Sequence, residues 1–368
     1  MEEKLYCTRC ECLIEDDDYY TVHDEIICDR CRDDYTVTCE CCGELIWCNE
    51  DCGDDNIYLC ESCRDENYCS CYNCDCLIHN DDAYEYDGDY YCYSCYEELE
   101  KRKSIRPYSY KPCPKFFGKY DKGDSTRFFG VALEVDKGGY DNDNAREILD
   151  YANYDDEHIY IKHDGSLDDG FEIVSHPATL DYHLNEFPWE DITHCAVEQG
   201  YRSHQTSTCG LHVHVNRLSL GETRADQEEV ISRILYLVEA YWNELLKFSR
   251  RTEYAMNRWA SRYGYESTPK KLMDKAKSSY NRYVAVNLCP HDTIEFRLFR
   301  GTLKLNTIYA TIQLVNHICE TALFLCDSEI QSLSWSDFVA KITEPELIHY
   351  LKERRLYINE EITNEEDI

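Results

Sequence analysis

The chain has no long apolar run, although 43% of its 368 residues are hydrophobic. No stretch reaches the roughly 20 consecutive apolar residues that a membrane helix needs. Met1 is followed by Glu2 and Glu3, and Cys7 comes before any apolar segment of signal-peptide length. We therefore expect a folded protein in a cytoplasm, with no membrane span and no export signal.

Basic residues are also scarce. Lys and Arg number 38 against 73 Asp and Glu, which gives a formal net charge of −35. Such a surface repels phosphate backbones, so it argues against nucleic acid as a partner and favours cationic or amine-bearing molecules. Glycine-rich phosphate loops of the Walker or dinucleotide type are missing, so any nucleotide has to be held through metal ions and arginines.

Cysteine, by contrast, is abundant and regularly spaced. The 24 cysteines include three copies of Cys-x2-Cys-x17-Cys-x2-Cys with a period of 32 residues. Each Cys-x2-Cys pair forms a tight turn that presents two thiolates to one ion, and a hairpin spacer returns the second pair. Without an export signal, reduced zinc ligands are expected rather than disulfides. The pattern predicts about three structural zinc ions, held by module 1 (7–31: Cys7, Cys10, Cys28, Cys31), module 2 (39–63: Cys39, Cys42, Cys60, Cys63) and module 3 (71–95: Cys71, Cys74, Cys92, Cys95).

The ligand pairing and the role of these modules stay open at this point. Their spacing resembles zinc ribbons and LIM-type modules equally, and in the latter the ligands of successive turns interleave. Cys48 and Cys52 occur only in the middle copy, where a fourth metal or a swapped ligand set is an alternative to spare thiols. The modules either dock a partner, preferably a basic protein, or cap the next domain. Six nearby cysteines fall outside the repeat: Cys12, Cys41, Cys48, Cys52, Cys69 and Cys76.

The length predicts two or more domains. The zinc modules occupy 1–96, and the basic, proline-containing segment 97–125 is predicted as a linker. A second domain follows over 126–345. Residues 346–368 are predicted as a C-terminal helix and an acidic tail that frays from Asn359 onward.

Alternating and helical hydrophobic periods predict the fold of the second domain. Core helices are expected over 145–152, 224–250 and 306–326. Strands with one apolar and one polar face imply an antiparallel sheet with helices packed behind it, an α+β fold. The predicted strands are 128–136, 158–163, 171–175, 210–216, 282–288 and 292–299.

Polar side chains should share the open face of this sheet, because residues two apart on a strand point the same way. Taken singly, they have structural explanations: a solvated strand face, core histidines or an ion pair. Together they favour a bowl that binds divalent cations and a triphosphate. Its predicted members are Glu134, Asp136, Asp164, Glu172, His212, His214, Asn287, Glu295, Arg297 and Arg300.

Six ordered motifs carry a resemblance to a known family: Phe129–Asp136, Lys162–Leu167, Gly170–Pro177, Cys209–Val215, Arg282–Leu288 and Thr293–Thr302. They look like the amidoligase family of phages and gut bacteria, which is related to glutamine synthetase and glutamate-cysteine ligase. The resemblance covers roughly residues 126–330 and implies a glutamine synthetase-like catalytic domain over 126–345.

The implied activity is a carboxylate-amine ligase that uses ATP and Mg²⁺ and forms an amide or isopeptide bond through an acyl phosphate. Its carboxylate and amine substrates would be peptides, proteins or small molecules in a bacterial or phage-infected cytoplasm. Carried over by motif, Glu134 and Glu172 would ligate the magnesium ion nearer the acceptor carboxylate, and His212 with Glu295 the ion near the transferred phosphate. The other implied roles are nucleotide contact for His214 and Asn287, phosphoryl charge stabilisation for Arg297 and Arg300, and amine contact for Asp164 and Ser166.

One position departs from the family pattern Gly-Val-Glu-Leu-Glu. Ala132 stands where the first glutamate is expected, which removes a carboxylate from the His212/Glu295 ion. The chain is a natural variant with impaired catalysis, or it carries a deliberate inactivating substitution, or Asp136 compensates. The first two are favoured, because Asp136 lies about 13 Å along the strand from residue 132.

Two other functions compete with the ligase. A metallohydrolase would use His212 and His214 to bind zinc or manganese, and a non-catalytic protein would bind nucleotide or a partner on a ligase fold. The segment 250–259, which interleaves basic and aromatic residues, is predicted as a loop over the ATP site.

Overall fold

The computed structural model describes residues 5–14, 19–86, 88–120, 125–204, 206–279 and 281–357. The chain divides into two compact units, Met1–Lys103 and Ser104–Ile368. Part of the range predicted as a linker, 97–125, has regular structure, because a helix runs to Arg102 and Ile105 is buried in a strand. The predicted fraying from Asn359 lies outside the described residues.

The first unit is built from short hairpins and helices around the cysteine pairs. In modules 1 and 3 the expected hairpin lies between the two pairs, whereas module 2 has a single bridge between Asp54 and Ile57. The second pair of each module opens a helix. The elements are β1 (Tyr20–Val22), β2 (Glu25–Ile27), α1 (Asp29–Tyr35), β3 (Thr36–Thr38), β4 (Leu45–Trp47), α2 (Glu61–Asn67), β5 (Tyr68–Ser70), β6 (Leu77–His79), β7 (Tyr84–Tyr86), β8 (Asp89–Tyr91) and α3 (Tyr93–Arg102), with 3-10 turns at Cys48–Glu50 and Asn80–Asp82.

The thiols group within each module and do not interleave. Four ligand atoms lie within 4.8 Å of one another in each of the sets Cys7/Cys10/Cys28/Cys31, Cys39/Cys42/Cys60/Cys63 and Cys71/Cys74/Cys76/Cys92. The first unit therefore holds three cysteine clusters that are able to bind metal. Among the described residues, Cys48 and Cys52 join no such cluster.

The second unit contains a seven-stranded sheet with the order β14-β15-β13-β10-β12-β11-β9. Neighbouring strands are antiparallel except β9 and β11. The predicted sheet backed by helices is confirmed. The strands of the sheet are β9 (Ile105–Arg106), β10 (Phe129–Val135), β11 (Ile159–Lys162), β12 (Phe171–Ser175), β13 (Gly210–Asn216), β14 (Val286–Asn287) and β15 (Thr293–Arg300). The helices of the second unit are α4 (Asn142–Ala152), α5 (Leu180–Asn185), α6 (Trp189–Glu198), α7 (Arg224–Ala240), α8 (Trp242–Ser249), α9 (Glu253–Trp259), α10 (Pro269–Lys277), α11 (Leu305–Phe324), α12 (Asp327–Ser332), α13 (Trp335–Val339) and α14 (Pro345–Glu353). A 3-10 turn lies at Arg217–Leu220.

Two predicted elements are shorter than expected. The helix predicted over 224–250 is interrupted at Tyr241, whose φ of −101° and ψ of 27° leave the helical region. The strand predicted over 282–288 is regular only at Val286–Asn287, because Val284 pairs with Ser261 instead of β15.

The apolar face of the sheet lies in the core. Leu133 on β10, Val213 on β13 and Phe296 on β15 are fully buried, and they belong to the same hydrophobic cluster as Ile234 of α7 and Leu314 of α11. Burial of this face leaves the alternate residues of the same strands on the opposite side. Among the described residues, no helix is long and apolar enough to cross a bilayer.

Candidate active site

The open face of the sheet forms the floor of a cavity of about 880 Å³. Strand register explains why the functional groups meet there. Glu134 on β10 lies opposite Glu172 on β12, Ala132 opposite His212 on β13, and His214 opposite Glu295 on β15. The charged and imidazole groups that line the cavity are Glu134, Lys162, His163, Asp164, Glu172, His212, His214, Arg251, Arg282, Glu295 and Arg297, together with Lys111.

Glu134, Glu172 and His212 form the tightest group of candidate ligands. Their ligand atoms all lie within 4.8 Å of one another, and all three residues are buried. The imidazole directs Nε2 toward Glu134 Oε1 at 3.8 Å and Nδ1 toward Glu295 Oε1 at 3.5 Å. His212 thus stands between the glutamate pair and Glu295, and it joins Glu134 and Glu172 in one ligand set.

The electrostatics of this group suit a cation. Burial, followed by the nearby charge of Glu172, raises the pKa of Glu134 to about 8. Burial lowers the pKa of His212 well below its ordinary value, and Arg297 and Arg251 act in the same direction, so the imidazole is neutral and free to ligate. Two buried carboxylates and a neutral histidine are a donor set that fits Mg²⁺ or Mn²⁺.

Lys162 supplies part of the positive charge that balances the two buried carboxylates, Glu134 and Glu172. Its Nζ lies 2.9 Å from Glu172 Oε2, because the two residues face each other across β11 and β12. Burial nevertheless raises the pKa of Glu172 above its ordinary value, with Lys162 opposing the shift.

Glu295 is held by protein groups on several sides. Asn287 donates from Nδ2 to Oε2 at 2.7 Å, and Arg297 pairs with Oε1 through Nη1. His214 Nε2 lies 3.8 Å from the same carboxylate. Although burial alone would raise the pKa of Glu295, His214 and Arg297 lower it overall. Asn287 therefore supports Glu295 and is itself absent from the cavity wall.

Asp164 and Ser166 lie in the turn after β11, where both line the cavity. The Ser166 amide donates to Asp164 Oδ1 at 2.7 Å. The structure thus brings the predicted Glu134, Asp164, Ser166, Glu172, His212, His214, Glu295 and Arg297 around one cavity, with Ala132 in its wall.

Asp136 and Arg300 are not part of this wall. Asp136 accepts hydrogen bonds from Thr208 Oγ1 at 2.6 Å and from the Asp169 amide at 2.7 Å, and these bonds outweigh burial and lower its pKa. Its carboxylate is occupied in fixing the 168–169 turn. Arg300 lines a separate small cavity beside His204. Alternation alone does not assign its face, because the pairing of β13 with β15 shifts register here: Phe296 and Phe299, three residues apart, pair with Val213 and Leu211 and are both buried.

Arg251 is the main site residue that strand patterning missed. It lines the cavity near Glu134, and burial lowers its pKa to about 10. The segment 250–259, predicted as a loop over the site, was the only signal. Arg251 and Trp259 of that segment do line the cavity, but Glu253–Trp259 is the helix α9 and not a loop. Gly210 makes room for this arrangement: a Cβ there would lie 2.3 Å from Arg251 Nη2 and 2.6 Å from His212 Nε2. The Gly210 amide also donates to Glu134 Oε2.

A second cavity of about 990 Å³ continues along the same face, past His214 and Tyr160, which line both cavities. Its wall is more apolar, with contributions from Phe116, Phe128 and Leu288. The open face is therefore one trough with a charged end and an apolar end.

Comparisons with known proteins give partial matches. No protein-family model matches the chain, and no curated protein matches it. A bifunctional glutathione synthetase from Pasteurella multocida is similar over 62% of this chain and 46% of its own, with 14% identity and a TM-score of 0.34. The complex between the prokaryotic ubiquitin-like protein Pup and its ligase PafA is similar over 56% and 50%, with 9% identity and a TM-score of 0.29. The chain thus spans about half the length of these two structures.

Proposed function

We propose that this chain is an ATP-dependent ligase that joins a carboxylate to an amine on a glutamine synthetase-like domain. The observation that carries the proposal is the buried ligand set Glu134, Glu172 and His212 in the floor of a cavity that also contains Arg251 and Arg297. Carboxylates for a divalent cation and guanidinium groups for phosphoryl charge are the two components that phosphoryl transfer without a phosphate loop requires.

Glu134, Glu172 and His212 would hold a magnesium ion, which supplies charge neutralisation for the phosphates when bound. Arg297, oriented by its pairing with Glu295, and Arg251 on the opposite side of His212 would hold the transferring phosphoryl group. The acceptor carboxylate would attack the γ-phosphorus of ATP, with ADP as the leaving group, and become an acyl phosphate. The amine would then attack the carbonyl carbon of the acyl phosphate, release phosphate and lose a proton, which leaves the amide. Asp164 and Ser166 would contact the incoming amine, and their position in the cavity wall after β11 supports this role.

The apolar end of the trough is the place we assign to the nucleotide base. His214 lines both cavities and therefore lies where the triphosphate would pass from one to the other. The apolar wall at Phe116 and Phe128 offers ring surfaces that suit a base better than a triphosphate.

Ala132 sets the decisive experiment. It faces His212 across β10 and β13 and lines the charged cavity, so Ala132→Glu would add a carboxylate to the ligand set. We expect Ala132→Glu protein to release ADP and phosphate in a reaction that needs Mg²⁺ and an amine, and to do so faster than the unaltered chain. Ala132→Gln, similar in size but neutral, is the control. If Ala132→Glu protein binds nucleotide but never consumes ATP with a broad panel of substrates, the ligase proposal is wrong.

A non-catalytic binding protein is the second candidate, and one observation favours it. Glu295, expected beside a second ion, is already paired with Arg297 and Asn287. Such a protein would bind nucleotide without turnover, and Ala132→Glu would leave that unchanged. A metallohydrolase based on His212 and His214 has less support, because the candidate ligand set contains only the first of these histidines.

The first unit is proposed to recruit a basic protein substrate. Residues 1–103 contain 30 acidic and 8 basic residues, a net charge of −22 before any thiolate is counted. We expect binding of a lysine-rich protein to weaken steeply with salt, and to be lost in a chain that begins at Ser104. A Ser104–Ile368 chain that retains this binding would contradict the assignment.

A further inference from the structure

Modules 1 and 3 each contain a fifth cysteine beside the four that the repeat supplies. These are Cys12 and Cys76, which occupy the same position in their modules, two residues after the second cysteine of the first pair. Module 2 has Glu44 there. A tetrahedral zinc site uses four thiolates, so one sulfur in each of these modules is in excess.

The backbone of the cysteine turn determines where the fifth sulfur lies. In module 3 the Cys71 amide donates to the carbonyl of Cys76, and the Asp75 amide donates to the carbonyl of Cys71, both at 2.9 Å. Asp75 has a φ of +59°, in the left-handed region, which turns the chain back toward Cys71. Module 1 repeats this geometry with a Cys7 to Cys12 bond of 2.9 Å and a φ of +59° at Glu11. The fifth cysteine is therefore fixed beside the first one.

The sulfur distances are within about 0.5 Å of those between ligands to one zinc ion. Zinc–sulfur bonds of about 2.3 Å place the sulfurs of a tetrahedral site about 3.8 Å apart. Cys74 Sγ lies 3.8 Å from Cys92 Sγ and 3.5 Å from Cys76 Sγ, and the four module 3 sulfurs that lie within 4.8 Å of one another include Cys76. Cys95 Sγ instead accepts from Asn73 Nδ2 at 3.4 Å. In module 1, Cys10 lies 3.3 Å from Cys12.

We propose that module 3 binds zinc through Cys71, Cys74 and Cys92 together with either Cys76 or Cys95, so that the fourth ligand exchanges between two thiols. Module 1 has the matching alternatives Cys12 and Cys31. Exchange replaces one zinc–sulfur bond with another, and the proton of the incoming thiol passes to the departing thiolate. Redundancy of this kind lets a module keep its ion when one thiol is lost to modification.

Two measurements on the zinc-loaded, 368-residue chain test the proposal. In the first, brief alkylation with iodoacetamide is followed by peptide mass spectrometry. Modification should be divided between Cys76 and Cys95, with a sum of about one group in module 3. Full modification of one of these cysteines with complete protection of the other would overturn the proposal, because the fourth ligand would then be fixed.

In the second measurement, zinc content is compared among variants. Cys76→Ser and Cys95→Ser should each keep the wild-type zinc content of about three ions per chain, whereas the double variant should lose about one. Cobalt substitution gives an independent signal, because the thiolate charge-transfer absorbance should stay at the wild-type level in both single variants and fall by about a third in the double variant. Loss of one ion in Cys95→Ser alone would overturn the proposal.

Discussion

The raised pKa of Glu134 predicts that metal binding at the charged end of the trough is strongly pH-dependent. A cation needs the ionised carboxylate, but burial and Glu172 raise the pKa of Glu134 to about 8 from an ordinary value of 4.5. Below pH 8 each bound ion must therefore displace a proton. Affinity should rise roughly tenfold for each pH unit between pH 6 and 8 and level off above that range, because below its pKa the ionised fraction of a carboxyl group rises about tenfold per pH unit.

His212 does not contribute to the dependence of metal affinity on pH, since burial keeps its imidazole neutral between pH 6 and 8. Burial also raises the pKa of Glu172, so protonation of this second carboxylate can only make the rise of metal affinity with pH steeper. The assay is titration of zinc-loaded protein with Mn²⁺, followed by electron paramagnetic resonance of the free ion at pH 6, 7, 8 and 9. Glu134→Gln should bind more weakly and lose this contribution to the slope, whereas the exposed Glu186→Gln should retain the wild-type profile. A wild-type affinity that is flat between pH 6 and 8 would refute the reasoning.

Three further predictions test the architecture. Gly210→Ala should weaken Mn²⁺ binding at least tenfold without unfolding the domain, because the added Cβ would displace Arg251 or His212. Circular dichroism checks that the variant is folded. Unchanged Mn²⁺ binding would contradict the close packing of Gly210 against Arg251 and His212. Leu133→Ala, at a fully buried core position, should lower the free energy of unfolding by about 3 kcal/mol in urea titrations. Chelation of zinc should abolish structure in Met1–Lys103. The tryptophan fluorescence of the second unit, which contains four of the five tryptophans, should stay native. Loss of the native fluorescence together with the structure of the first unit would contradict two independently folding units.

Much of the sheet follows from alternation alone. Leu133, Val213 and Phe296 are apolar and, apart from Ala132, their strand neighbours are polar, so a period of two residues assigns each to a face before any contact is known. The same rule does not assign the face of Arg300, because the register shift between β13 and β15 interrupts alternation between Phe296 and Phe299. Helix ends were less predictable. Neither glycine nor proline marks the break at Tyr241.

The cysteine spacing predicts three clusters in the same way, because two thiolates in a turn can reach only one ion. Which sulfurs belong to each cluster was left open, including the choice between interleaved and separate ligand sets. The position of Cys76 beside Cys74 depends on two backbone hydrogen bonds and a left-handed residue, and the repeat pattern does not encode it.

Local periodicity therefore determines which residues face the core, which face the trough, and which cysteines pair in a turn, because these depend only on neighbours within a few positions. Other features depend on the tertiary structure alone. Arg251 approaches Glu134 from a helix connection more than a hundred residues away, and the Asp136 carboxylate accepts hydrogen bonds from the 168–169 turn. Glu295 is already paired with Arg297 and Asn287. Burial, charge and hydrogen bonding at a site are properties of strands brought together in space, and they appear only when the register of β10, β12, β13 and β15 is known.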